Sequence, residues 1–162
     1  MYNRNMSKVK KAKAKKETSI LNRRVSFDYF LGEEIIAGIA LTGPEVRAAR
    51  DRLVQLKGSF VTIRNGEVWL NNASFSLAHN EKGVGNAKTV DTSARKLLLN
   101  RKQIEKLQTE KDNGMTILPT KMLVGGRFIK LVIAPGKGKR QYDKRQSIKE
   151  RDQKRDQKRG GF

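Results

Sequence analysis

Apolar side chains in this chain gather between positions 25 and 134, in short runs parted by turn residues. In 22–30, NRRVSFDYF, Val25, Phe27 and Tyr29 alternate and Phe30 follows. That spacing fits extended chain and fits one helical turn equally well. The run 33–41, EEIIAGIAL, is rich in β-branched residues and has strand length. Gly38 within it predicts a bulge or bend, as small barrels use where strands coil. Thr42-Gly43-Pro44-Glu45 opens a helix, with Pro at the first helical position and Glu in the first turn. Over 45–53 that helix puts Val46, Ala49 and Leu53 on one face and leaves Arg47 and Arg50 on others.

Residues 59–63 alternate as a strand. Asn65-Gly66 supplies the left-handed pair that a two-residue hairpin turn requires. The return strand is predicted over 67–75 and carries Trp69. From 77 to 91 the chain is polar and glycine-containing, which predicts a long loop, and loops of this length tend to be functional or mobile. Asp91-Thr92-Ser93 before ARKLLLNRKQIEKLQTEK predicts a capped helix over 94–111, ended by Asn113-Gly114. A strand over 115–124 follows, with Pro119 confining it to an edge or a bulged pairing. Gly125-Gly126 turns the chain, 127–134 returns, and Pro135-Gly136 closes the body. Strand, short helix, hairpin, helix, hairpin is the order of an oligonucleotide-binding (OB) barrel, a mainly β fold with flanking helices. Other small barrels and α+β sheets share that order.

Charge changes the picture. The 162 residues carry a net charge of +20, and the usual partners of such a surface are nucleic acids or anionic membranes. The excess sits at the ends: nine Lys/Arg against Glu17 alone in 1–24, and eleven against four acids in 137–162. Three parts follow: a basic disordered arm over 1–19, a body over 20–135 and a basic tail over 136–162. The tail has only Tyr142 and Ile148 as large apolar residues, too little to offset its ordering entropy. Glu150 precedes Lys154 by four residues, and Asp152 and Asp156 each precede an Arg by three, so opposite charges meet along a helix. The tail is therefore expected to be disordered alone and helical against a polyanion; a merely solubilising tail is the plainer alternative.

There is no Cys, which excludes disulfides and thiolate metal sites. His79 is the single histidine, more suited to a phosphate contact than to catalysis. No metal or cofactor is expected. No apolar run approaches the roughly 20 residues of a membrane span, and the basic N-terminus lacks a signal-peptide apolar region. A cytoplasmic protein without a membrane partner is the expectation.

KLLLNRKQI (96–104), NGEVWL (65–70) and above all GKGKRQYDKRQSIKERD (136–152) together resemble the SsrA-binding protein family, also called small protein B. The resemblance covers about 20–152. It implies an OB barrel that binds the tRNA-like domain of transfer-messenger RNA (tmRNA, or SsrA RNA) and brings it, alanyl-charged and with elongation factor Tu, to stalled ribosomes. It implies that the tail enters the vacant mRNA channel of the small subunit beyond the decoding centre and folds there as a helix, so that the nascent peptide is tagged and the ribosome rescued. This is trans-translation, a binding function rather than an enzyme's.

Carried over by residue, Asn22 and Tyr29 match RNA-facing positions of the family, Leu98 matches one linked to RNA binding, and Lys130 another. Lys137, Gly138, Lys139, Asp143, Lys144, Arg145, Ile148, Lys149, Glu150 and Arg151 follow the tail pattern, Tyr142 stands where His or Tyr is common, and Arg140 completes the set. Arg23, Arg24, Arg47, Arg50, Lys96 and Arg101 are phosphate-contact candidates by charge. Three positions depart. Ile36 stands where an RNA-side Glu is common, so that polar contact is either lost or supplied by Glu33, Glu34 or Glu45. Pro44 replaces a Trp, and Gly125-Gly126 is less basic and aromatic than usual.

Two rivals remain at this point. A ribosomal or initiation-factor-like barrel bound constitutively to rRNA fits the basic ends equally. An RNA-processing hydrolase would need clustered carboxylates, and Glu33-Glu34 is the only adjacent acidic pair of the body.

Overall fold

The computed structural model describes residues 19–78 and 88–159. The arm over 1–18 and His79 lie outside the described residues. In chain order the elements are β1 (Ser19–Leu21), α1 (Arg23–Asp28), β2 (Tyr29–Leu31), β3 (Ile35–Ile39), α2 (Gly43–Arg50), β4 (Val54–Gln55), β5 (Phe60–Arg64) and β6 (Glu67–Asn71). They continue as β7 (Ser74–Ala78), β8 (Lys88–Asp91), β9 (Arg95–Leu98), α3 (Arg101–Asp112), β10 (Thr116–Leu123), β11 (Lys130–Gly138) and α4 (Gln141–Arg159).

Six strands close a ring in the order β10-β5-β6-β9-β3-β11, with β11 returning to β10, and every pairing is antiparallel. This is the mainly β, closed barrel with flanking helices that the order of elements predicts. Ala37, Val68, Leu70, Leu131, Ile133 and Met122 fill it, each without solvent exposure. They alternate with outward residues because successive side chains of a strand face opposite ways. The long partners β10 and β11 splay and each takes a further short strand: β1 along 121–123 and β2 along 136–138. The register of β10 shifts between Pro119 and Lys121, the bulged pairing that a proline without an N–H demands. A second sheet, β4-β7-β8, stands beside the barrel. α3 buries Leu107 against β10 and β11, a contribution of about 1.5–3 kcal/mol.

Several expectations are met. Asn65 and Gly66 both take positive φ (52° and 75°) between β5 and β6. α2 begins with a reciprocal cap between Thr42 and Glu45, and Pro44 occupies its first turn. The two options for 22–30 are realised in succession, as the turns of α1 and then as β2.

Others are corrected. The helix expected over 94–111 begins only at Arg101. Its first part is β9, in which Arg95 and Leu97 face in and Lys96 and Leu98 face out. A short apolar run such as KLLL does not declare its period, and the cap is Asn100, reciprocated by Gln103. Asp91 instead accepts the Ser93 N–H. The strand expected over 67–75 breaks at Asn72 (φ 58°) and resumes as β7 in the second sheet. Most of the loop expected over 77–91 lies outside the described residues, but its ends pair as β7 and β8. The helix expected over 45–53, α2, stops at Arg50, three residues early, and Arg52 turns the chain at φ 59°.

Gly38 makes no bulge. Its register with β11 is unbroken, and it serves a close approach, since a Cβ there would lie 3.1 Å from Leu98 Cβ. Nor does the body close at Pro135: β11 runs on to Gly138 against β2, and Gly32 N–H donates to Pro135 O (2.7 Å). Lys137 and Gly138 thus belong to the sheet. At Gly136 a Cβ would meet Leu118 Cδ1 at 3.0 Å and Tyr29 Cβ at 3.2 Å, so a larger residue would crowd the approach of β2 and β10 to this strand.

Candidate nucleic-acid interface

The barrel wall carries one set of the sequence-selected residues. Directly opposed residues of antiparallel strands share a face. Gly38 opposes both Leu98 and Lys130, and Trp69 opposes Lys96. Leu98 and Ile36 point outward, 56% and 55% exposed. The result is a shallow apolar strip edged by Lys130 and Lys96, suited to a ribose or base face flanked by phosphates. Lys96 is shared with Glu67, which ion-pairs it.

None of the three glutamates supplies the carboxylate that Ile36 lacks. Glu33 pairs with Lys106 at 2.6 Å and Glu34 with Lys121 at 2.9 Å, and each lysine holds its partner below the usual carboxylate range. Glu45 is buried, caps α2 and receives Arg95 Nε at 2.8 Å. At this place the strip is apolar.

A second set gathers around α1. Asn22 is buried, and its amide donates to Leu56 O (2.9 Å) and Pro119 O (3.0 Å). It ties the start of α1 to β10 and to the turn after β4, and so holds the neighbouring Arg23 and Arg24 outward. Tyr29 is half-buried beside Gly136 and Gly138. A cleft between α1 and β4 has Ile20, Leu21 and Phe27 among its apolar walls and Arg23, Arg24, Lys57 and Arg151 among its cations.

The remaining candidates lie elsewhere. Arg47 and Arg50 are exposed on α2, which packs on β7. Arg101 is almost fully exposed and spans one helical turn to Glu105. The ten body residues chosen from sequence thus divide among the barrel strip, the α1–β2 region and two helix surfaces.

The tail residues Tyr142 to Arg151 lie on α4. Tyr142, Arg145, Ile148, Lys149, Glu150 and Arg151 are exposed, while Asp143 and Lys144 are partly covered. Arg140 N–H donates to Asp143 Oδ2 (3.1 Å), capping the helix. Lys139 Nζ stands 4.9 Å from the centre of the Phe30 ring and donates to Ser26 O (3.1 Å). Lys144 Nζ reaches Asp28 Oδ1 at 2.9 Å. Lys144, with Arg24 beside it, holds the Asp28 carboxyl below its ordinary value against the opposing effect of partial burial.

Sequence reasoning missed Arg95, Asp28, Ile20 and Lys57. Arg95 is the clearest case. It is buried, lies over the Phe75 ring at 3.9 Å, pairs with Glu45 and Asp91, and joins barrel to second sheet. Its period-2 alternation with Leu97 was the available signal, hidden by the expected helix.

The family model for the SmpB protein matches residues 19–161. The chain belongs to the SmpB family. Two curated relatives, both named SsrA-binding protein, come from Lactiplantibacillus plantarum and Streptococcus uberis. The first is 46% identical over 136 residues, 83% of this chain and 85% of the relative. The second is 45% identical over 150 residues, 90% and 94% of the two chains. A solved structure described as "tmRNA-SmpB: a journey to the center of the bacterial ribosome" contains a chain with TM-score 0.60 and 32% identity, covering 80% of this chain and 94% of its own. For an SmpB-family chain, the barrel strip, the α1 cleft and the basic helix are the three surfaces to be accounted for. No helix among the described residues is long and apolar enough to cross a membrane.

Proposed function

We propose that this SmpB-family protein binds the tRNA-like domain of transfer-messenger RNA and serves trans-translation in the cytoplasm. Its barrel strip (Lys96, Leu98, Lys130) and the α1 region (Arg23, Arg24, Tyr29) grip the folded RNA by shape, phosphates and stacking, as proteins read such RNA. Arg47, Arg50 and Arg101 add phosphate attraction from the flanking helices, and affinity falls steeply with salt as counterions are released. Asn22 acts behind this surface. With elongation factor Tu the alanylated complex reaches a stalled ribosome.

The tail beyond Gly138, through Arg151, then enters the empty mRNA channel near the decoding centre. A basic helix follows rRNA there only if no message fills the space, so competition for volume is the sensor. α4, helical from Gln141 to Arg159, gains little from tertiary packing, and an isolated helix is marginal in water; its distal part exchanges with coil when free and is fixed as helix on entry. The proposal needs no catalytic group. Glu33 and Glu34 are each taken up by a separate lysine, which disfavours a hydrolase.

The observation that carries the reading is the union of a closed barrel bearing a cation-edged apolar strip with a basic helix rooted beside it, in a chain so similar to SsrA-binding proteins. Sequencing the RNA recovered with the tagged protein tests it. Enrichment of one tRNA-like RNA is expected; uniform recovery of rRNA from all ribosomes would favour the constitutive ribosomal reading instead.

A further inference from the structure

We propose that Asp28 is a positioning residue for the tail, a carboxylate clamp that seizes Lys144 and sets the direction in which α4 leaves the body. This rests on the reading of the tail given above and goes beyond it. Asp28 is the last residue of α1, and its side chain is 18% exposed. Arg24 Nε holds Oδ2 at 2.6 Å, and Lys144 Nζ lies 2.9 Å from Oδ1 as an ion pair, off the axis of a hydrogen bond. The main chain joins in, since Lys139 N–H donates to Asp28 O at 2.8 Å. One residue therefore receives the tail twice, five positions apart, across the turn where sheet becomes helix.

Two points on one body fix a direction, where a single point leaves a swivel. Among the described residues, no other tail cation forms an ion pair with a body carboxylate. Beyond Lys144 the hydrogen bonds of α4 stay within the helix, as from Gln146 to Glu150. The tail is thus two parts: a first turn clamped to α1, and a distal stretch, with Arg151 at the α1 cleft, whose backbone is free to exchange coil for helix. Lys144, selected from sequence as a ribosome contact, serves as the anchor.

The chain has no cysteine, so two introduced ones take spin labels cleanly: Lys102→Cys on α3 and Gln146→Cys on α4, both exposed. In the full-length protein the distance distribution is expected to be narrow. It broadens in Asp28→Ala and equally in Lys144→Met, which leaves the barrel untouched, and stays narrow in Asp28→Glu. Asp28→Ala lowers tagging on stalled ribosomes about tenfold, as loss of one charged contact does. In Lys144→Met, which leaves the Arg24–Asp28 pair of the α1 region in place, tmRNA affinity stays within about twofold, and Asp28→Glu restores tagging.

A broad distribution in the parent, or a narrow one in Lys144→Met, overturns the clamp. Broadening in Asp28→Ala with full tagging overturns its positioning role. Truncation after Arg140 separates the two readings: full tagging without the tail would sink the proposed tail function, while the distance measurement still judges the clamp.

Discussion

The barrel and α4 are specified by opposite means. The barrel is a product of burial. Its strands come from far apart in sequence, its inward residues are sealed, and its buried polar groups Asn22, Glu45, Ser59 and Arg95 each have partners. α4 is a product of charge. Through residue 157 it buries no large side chain, and among the described residues it meets the body around its first turn and near Arg151. A surface of the first kind is preformed and reads an RNA of fixed shape. A segment of the second kind takes its shape from what surrounds it, which suits a probe of an occupied or vacant channel. The two kinds meet at Gly136–Lys144, where glycine-dependent strand packing gives way to an ion pair.

The widest separation between the two regions is expected from replacing Asp143, Lys144 and Arg145 together by alanine. Tagging should fall to background while the tmRNA dissociation constant stays within about twofold. A large loss of RNA affinity would mean that the tail belongs to the first surface.

Next in size is Arg95→Ala, which acts on the barrel alone. It leaves the Glu45 carboxylate buried without its partner, and breaking a buried pair costs about 3–5 kcal/mol. Urea unfolding monitored at Trp69 reports it; an unchanged midpoint would show that the second sheet holds without this link.

Much of this contrast was legible in the chain. The Asn65-Gly66 hairpin, the Thr42–Glu45 cap, the bulge at Pro119 and the charge-rich tail each follow from local chemistry, so their residues declare them. The misreadings share one cause: tertiary pairing overruled a local pattern. KLLL became a strand because Gly38 and Val68 lay across from it. β11 outran Pro135 because β2 offered a partner. Of the candidate site, Leu98 and Lys130 were found through family resemblance, and only the register shows that Gly38 brings them together. Asp28 could not be found from sequence, because its partner lies over a hundred residues away.

Gly38→Ala sharpens the barrel side further. The added Cβ, 3.1 Å from Leu98 Cβ, crowds Leu98 and shifts it within the strip by a few tenths of an ångström. A loss of tmRNA affinity of about fivefold is expected, toward the lower end of what one stacking contact is worth, with tail-dependent steps unchanged once RNA is saturating. Leu98→Ala on the Gly38→Ala background should then add little, because neighbours that share one contact are not additive. Full additivity would mean that Gly38 and Leu98 act separately.

The smallest effect lies at the junction itself and concerns pH. Asp28 has its carboxyl held below the ordinary value, first by Lys144 and then by Arg24. A depressed carboxylate contributes stability that is fully present above its unfolded pKa of about 3.9 and is lost as pH falls through the lower folded value. The clamp should therefore be indifferent to pH across the neutral range and open only in acid below about pH 4, before the apolar core responds. A carboxyl-carbon NMR titration of Asp28 checks this: its midpoint should lie below that of an exposed aspartate and rise toward the ordinary value in Lys144→Met. A midpoint unmoved by removal of Lys144 would assign the depression to Arg24 alone and leave the tail swinging free of α1.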